Sequence, residues 1–121
     1  MTLDYNIFKN SLEAIDLTKA KVINTINPHS YCVSKKDKVF KEALKASDIL
    51  LPDGVGIVWA KKIVSGTKIK KIAGNDLFLF LMQKLDTEKG SVFFLGSSQE
   101  TLNKIKMKCS IEYPNVTFGG F

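Results

Sequence analysis

The chain has 121 residues, 45% hydrophobic and 25% charged, which suffices for one domain with one core. It contains no apolar run near the roughly 18 to 20 residues needed to span a bilayer. Asp4, Glu13 and Asp16 interrupt any signal-peptide core, so the expected location is cytoplasmic. The net charge is +6 and every cationic side chain is lysine, which points to a solvated basic surface and no nucleic-acid partner, because bidentate phosphate and guanine recognition belongs to arginine.

Tyr5 to Phe8 reads as a short edge strand and Ser11 to Thr18 as a short helical or irregular piece. Val22 to Ile26 is β-branched and reads as a strand. Asn27 sits where an N-cap belongs and Pro28 suits the first helical position. The expected helix runs on to about Ala46, with Val33, Phe40 and Leu44 among its core contacts. Asp48 to Leu51 is a short apolar strand, Pro52 to Gly56 a turn, and a helix follows to about Val64, where Ser65-Gly66 breaks it. Lys68 to Ile72 alternates lysine and isoleucine for part of its length, as a half-exposed strand or extended segment would.

Gly74-Asn75-Asp76 opens a further helix, on which Leu77, Leu81 and Leu85 repeat every four residues until Gly90 ends it. Ser91 to Leu95 is a nearly continuous apolar strand, the pattern expected when both sheet faces are covered. Gly96-Ser97-Ser98 leads into a helix with Leu102, Ile105 and Cys109 on one side, Tyr113-Pro114 stops it, and Val116 to Phe118 forms a last strand. Cys32 and Cys109 are far apart and read as reduced and at least partly buried.

This alternation specifies an α/β fold, a Rossmann-like, mainly parallel sheet with helices on both faces. Ligands bind such sheets outside the carboxyl ends of the strands. There the chain places Thr25, Asn27, Asp53, Gly54, Gly56, Gly96, Ser97 and Ser98, at three successive strand-to-helix junctions. That recurrence is the strongest local sign of function.

Several chemistries lack their residues. His29 is a lone histidine without ligand spacing around it and suits a surface turn better than a metal. No Asp-x-Asp, P-loop or complete dinucleotide fingerprint occurs. What remains is a carboxylate at a glycine-lined turn. Asp53 can act as general base toward a sugar hydroxyl, with glycine N–H groups approaching a phosphate or sugar closely. Equally, it can cap the following helix or form an Asx-turn. Asp76 is open to the same two readings, with the first-turn role weighted more heavily.

Val22-Ile23-Asn24-Thr25-Ile26-Asn27-Pro28 and Ala46-Ser47-Asp48-Ile49-Leu50-Leu51-Pro52-Asp53-Gly54-Val55-Gly56, in that order and at that separation, resemble the opening motifs of the WecG/TagA/CpsF glycosyltransferases, glycosyltransferase family 26. Ile72-Ala73-Gly74-Asn75-Asp76-Leu77 is similar to the family's V-T-G-x-D-L, and Val92-Phe93-Phe94-Leu95-Gly96 to its next strand and glycine turn. The resemblance implies inverting, metal-independent transfer of a sugar such as N-acetylmannosamine from a UDP-sugar to a polyprenyl-diphosphate-linked saccharide in bacterial cell-surface polysaccharide synthesis, with no cofactor.

Carried over, Asp53 matches the catalytic base, and Thr25 and Asn27 match polar residues lining the site. Gly54, Gly56, Gly74, Asp76 and Gly96 are expected to line the substrate. Lys71 replaces an arginine of the family and would meet a diphosphate as a point charge. The family continues through a second half with a P-K-Q-E segment and a basic membrane-associating tail. The resemblance therefore implies that residues 1–121 are a single domain forming the family's N-terminal portion, with peripheral membrane contact in the complete protein. An open sheet edge makes a homo-oligomer a further expectation. The competing reading is a non-catalytic nucleotide-binding module, or an interaction module acting through Lys61, Lys62, Lys68, Lys70 and Lys71.

Overall fold

The computed structural model describes residues 4–121. Strand and helix alternate: β1 (Ile23–Ile26), α1 (Pro28–Lys36), α2 (Lys38–Lys45), β2 (Ile49–Pro52), α3 (Val55–Ser65), α4 (Gly74–Glu88), β3 (Ser91–Phe93), α5 (Gln99–Glu112) and β4 (Thr117–Gly120). A short 3-10 turn, Leu12–Ala14, precedes β1. The strands pair in parallel, β1 with β2 and β3 with β4, as two small sheets. The class is α/β, and the arrangement is compatible with part of a Rossmann-like fold. Packing divides the chain into two compact units, one reaching Leu77 and the other running from Phe78 to Phe121.

In the first unit β2 is central. Ile23 to Ile26 pair with Ile49 to Pro52 on one edge. On the other, Ile7 bridges Leu50 and the Phe8 N–H donates to the Leu50 carbonyl at 2.8 Å, so the expected edge strand is reduced to one bridge. Ile7, Ile26, Leu50, Ile57 and Ile69 form the centre of the core. Tyr5 reaches in from the edge; its hydroxyl donates to Ser34 Oγ at 2.6 Å, and Ser34 donates to the Tyr31 carbonyl at 2.7 Å. These bonds satisfy the polar atoms that the core encloses.

The helix expected from Asn27 to Ala46 is two helices. Asp37 is extended (φ −114°, ψ 107°), closes α1 and caps α2, its carboxylate accepting the Phe40 N–H at 3.0 Å. An aspartate that can satisfy a helix start competes with continuation of the helix, and the apolar periodicity passes across such a break without recording it. Lys68 to Ile72 is an extended segment outside any strand. Ile69 and Ile72 are buried while Lys68, Lys70 and Lys71 are exposed, so the lysine–isoleucine alternation does translate into sidedness.

In the second unit Ser91 and Val92 pair with Thr117 and Phe118, and the register then shifts so that Phe93 faces Gly120. Gly119 lies under the Val92 carbonyl, where a Cβ would stand 3.2 Å from that oxygen. Phe94 stacks near Phe78 and Phe118. The Asp86 carboxylate accepts the Asn115 N–H at 2.8 Å, joining the end of α4 to the approach to β4. Leu102 and Cys109 are buried on one side of α5, as the periodicity required.

The expectation that Ser91 to Leu95 is covered on both faces is corrected. Phe93 is 60% and Leu95 94% exposed, because β3 has one paired neighbour among the described residues, and an apolar run specifies a buried strand only if something packs on each face.

The cysteines also divide. Both are free, Cys109 buried and Cys32 exposed, the latter contrary to the expectation of partial burial, since Cys32 lies on the outward side of α1. Burial pushes the Cys109 thiol up, with Glu112 adding to the shift and Lys108 opposing it. At pH 8 iodoacetamide is expected to modify Cys32 about tenfold or more faster than Cys109, because the thiolate is the reacting form, and mass mapping of the alkylated peptides measures the ratio. The difference should vanish in denaturant.

Candidate active site

The site grows from the end of the β1–β2 ladder. The last pairs are Thr25 with Leu51 and Ile26 with Pro52. The Asp53 N–H then donates to the Ile26 carbonyl at 2.9 Å, carrying the ladder one residue further, so both strands leave the sheet at the same level. After β1, Asn27 caps α1 in a reciprocal box: its side-chain oxygen accepts the Ser30 N–H, and Ser30 Oγ accepts the Asn27 N–H, each at 2.8 Å. The cap fixes the direction in which Pro28 leaves the strand.

After β2 the chain turns through Asp53 and Gly54. Gly54 has φ +95° and ψ 144°, a conformation essentially reserved for glycine. Gly56 is held against the Pro28 ring, where an added Cβ would stand 2.8 Å from Pro28 Cγ. The two turns are therefore in contact through proline and glycine.

A third turn joins them. The Ile72 N–H donates to the Pro52 carbonyl at 2.9 Å, and Gly74, opening α4, faces Thr25, with a Cβ there 4.0 Å from Thr25 Cγ2. The structure thus brings Thr25, Asn27, Asp53, Gly54, Gly56 and Gly74 to one end of the β1–β2 pair.

The three helix starts differ electrically. Asn27 caps α1, and Asp76 accepts the Ala73 N–H at 2.8 Å at the start of α4. At α3 the capping position is Gly54, with no side-chain cap and no acidic residue in the first turn. The first N–H groups of α3 and the positive end of its dipole are left to whatever occupies the site. Asp53 is half-buried beside them, and among the described residues no hydrogen bond or ion pair reaches its carboxylate. The alternative of a purely structural cap from Asp53 is absent from this structure.

Lys71 is exposed and, with Asp76, lines a cleft of about 440 Å³ whose opposite side is Lys9 to Glu13. The segment Lys9 to Glu13 carried no functional signal in the sequence; its meeting with Lys71 is a tertiary event. Gly96 belongs to the second unit, exposed at φ +111° and followed by Ser97 at φ +68°, with Ser98 capping α5. His29 is exposed, and among the described residues no three His, Cys, Asp or Glu side chains gather as a metal site.

Residues 2–121 match the family described as Glycosyl transferase WecG/TagA/CpsF. The chain belongs to this family. It is similar to the N-acetylglucosaminyldiphosphoundecaprenol N-acetyl-beta-D-mannosaminyltransferase of Bacillus subtilis (strain 168), 31% identical over 107 residues, and to the protein so named in Bacillus spizizenii (strain ATCC 23059 / NRRL B-14472 / W23), 29% identical over 107 residues. In each case the aligned part is 88% of this chain and 42% of the relative, so the chain spans less than half the length of the WecG/TagA/CpsF relatives it matches. No described helix is long and apolar enough to cross a membrane.

The glycine requirement is testable without ligand. Gly54→Ala is expected to lower stability by about 1 to 3 kcal/mol through backbone strain. Val55→Ala, at an exposed neighbour, should stay within about 0.5 kcal/mol. Urea unfolding followed by circular dichroism measures both.

Proposed function

We propose that the chain forms the front half of the active site of an inverting, metal-independent glycosyltransferase that moves N-acetylmannosamine or a related sugar from a UDP-sugar to a lipid-diphosphate-linked N-acetylglucosamine. The observation that carries this reading is Asp53, a carboxylate without a partner among the described residues, half-buried beside the uncapped start of α3. Family membership and the names of both relatives supply the substrate class. On this reading the chain is one glycosyltransferase-like domain acting in cell-surface polysaccharide synthesis, at the cytoplasmic face of the membrane where a lipid-linked acceptor is reached.

In the proposed reaction the Asp53 carboxylate takes the proton of the acceptor hydroxyl. The hydroxyl oxygen attacks the anomeric carbon from the face opposite the nucleotide. The bond from that carbon to the diphosphate oxygen breaks, and UDP leaves with the bonding electrons, inverting the centre. A general base is worth about 10² to 10⁴ in rate.

The N–H groups at Gly54 and Gly56 suit close approach of a phosphate or sugar. Thr25 and Asn27 form the polar wall; the Asn27 side-chain oxygen is held by Ser30, which leaves its amide NH₂ to donate. Gly74 gives Thr25 room, Lys71 offers a point charge to a diphosphate, and Asp76 orders the turn that carries them.

The assay is transfer from UDP-N-acetylmannosamine to lipid-diphosphate-linked N-acetylglucosamine, in a protein spanning the full length of the family. Asp53→Asn should lower kcat by about 10² to 10⁴ with little change in KM for the donor; wild-type turnover in this variant would sink the base assignment. Lys71→Ala should act chiefly on donor KM. Excess EDTA should leave the rate unchanged, and a rate abolished by EDTA and restored by a divalent ion would overturn the metal-independent mechanism.

A further inference from the structure

The cleft that Lys71 and Asp76 line has a second wall, Lys9 to Glu13, to which the proposed reaction gives no role. Both walls are fixed by the core. On one side buried Ile72 lines the cleft and donates its N–H to the Pro52 carbonyl at 2.9 Å, which ties this wall to the residue before Asp53. On the other side the segment is held at each end. Before it, the Phe8 N–H donates to the Leu50 carbonyl at 2.8 Å. After it, the Ala14 and Ile15 N–H groups donate to the Ser11 and Leu12 carbonyls, each at 3.1 Å, and Ile15 is buried. A site already ordered in this way loses little freedom on binding.

The chemistry of the cleft is that of an anion site. Lys9, Lys70 and Lys71 line it with Glu13 and Asp76, and three ammonium groups against two carboxylates leave it net positive. Asp76 is in part engaged already, since one of its oxygens accepts the Ala73 N–H. Among the described residues none of the three lysines is in an ion pair. Ser11 adds a hydroxyl to the lining, and that hydroxyl makes no cap for the 3-10 turn it precedes. The cleft measures about 440 Å³, inside the range of small-molecule sites, and ammonium–phosphate bonds are charge-assisted.

On the transferase reading Lys71 meets the donor diphosphate, so the cleft that Lys71 lines is open to the donor and its second wall faces the same ligand. Lysine is a point charge without arginine's fork, and the chain has no arginine. Two phosphates are therefore better neutralised by lysines from two walls than by Lys71 alone. We infer that Lys9 is a second donor-binding residue, its ammonium group meeting the diphosphate from the wall opposite Lys71 with Ser11 beside it. This assignment rests on the transferase reading and extends its donor site to a segment before β1.

Isothermal titration of the 121-residue chain tests it with three probes: UDP, UMP, and diphosphate-linked N-acetylglucosamine on a shortened, water-soluble lipid. Lys9→Ala should weaken UDP about threefold to tenfold. The same variant should change UMP and the lipid-linked probe by less than about twofold, because neither places a donor diphosphate between the walls. Lys9→Arg, which keeps the charge, should return UDP binding to within about twofold of the unaltered chain. Lys45→Ala removes the same charge from the last turn of α2, outside the cleft, and should also stay within about twofold. Lys9 is exposed, so the circular-dichroism spectra should coincide.

No UDP binding by the unaltered chain, UDP binding unchanged in Lys9→Ala, or an equal loss in Lys45→Ala would each overturn the proposal. So would a loss for the lipid-linked probe as large as that for UDP, which would give the cleft to the acceptor. Titration reads binding, whereas Asp53→Asn reads transfer. Normal UDP binding in Lys9→Ala together with a lost rate in Asp53→Asn removes Lys9 and keeps the transferase reading. Lys9-dependent UDP binding together with wild-type turnover in Asp53→Asn keeps Lys9 and removes the base.

Discussion

The parallel register of β1 against β2 governs the rest of the first unit. Thr25 lies opposite Leu51 and Ile26 opposite Pro52, and the Asp53 N–H closes onto the Ile26 carbonyl. A slip of one residue would turn Ile26 and Leu51, both fully buried, to the wrong faces, and would also part the two turns. Burial of isoleucine and leucine in the core therefore sets the level at which Asn27 and Asp53 emerge. Asp48 reinforces this from the far end, its carboxylate accepting the Val22 N–H at 2.7 Å.

Given that register, the turns are shaped by what they must avoid. Pro28 starts α1 with its preset φ, and its ring fills the space next to Gly56, where a side chain cannot fit. Gly54 takes a conformation closed to other residues and stands where a side-chain cap would otherwise sit. One turn thus uses Asn27 to satisfy its helix, and the other leaves its helix start open. That asymmetry supports the proposed ligand site, and it places the open N–H groups next to the Asp53 carboxylate, which no protein group engages among the described residues. Asp76, by contrast, spends its acceptor on Ala73 and acts through the order it gives the third turn.

Helix α3 is apolar on more than its buried side. Ile57 belongs to the core while Val55, Trp59 and Ile63 face outward, so the helix is apolar on both sides and polar mainly at Lys61, Lys62 and Ser65. A helix so constituted is stable in water only to the extent that its inner face anchors it.

The sequence alone determined the order of strands and helices, the cap at Asn27, the break at Ser65-Gly66, the sidedness of Lys68 to Ile72 and the three polar junctions, because each is written in local periodicity or in residues with special backbone preferences. The motif pairs pointed to a glycosyltransferase family, and the match over residues 2–121 established membership. Tertiary structure decided what local pattern cannot carry. It broke the Asn27–Ala46 helix at Asp37, left Phe93 and Leu95 exposed despite an apolar run, and brought Lys9 to Glu13 against Lys71. It also separated Asp76, which accepts the Ala73 N–H, from Asp53, whose carboxylate has no hydrogen-bond partner among the described residues. The reason is that a carboxylate's role depends on which N–H groups lie within reach, and that distance is set by strand register and helix direction across residues far apart in the chain.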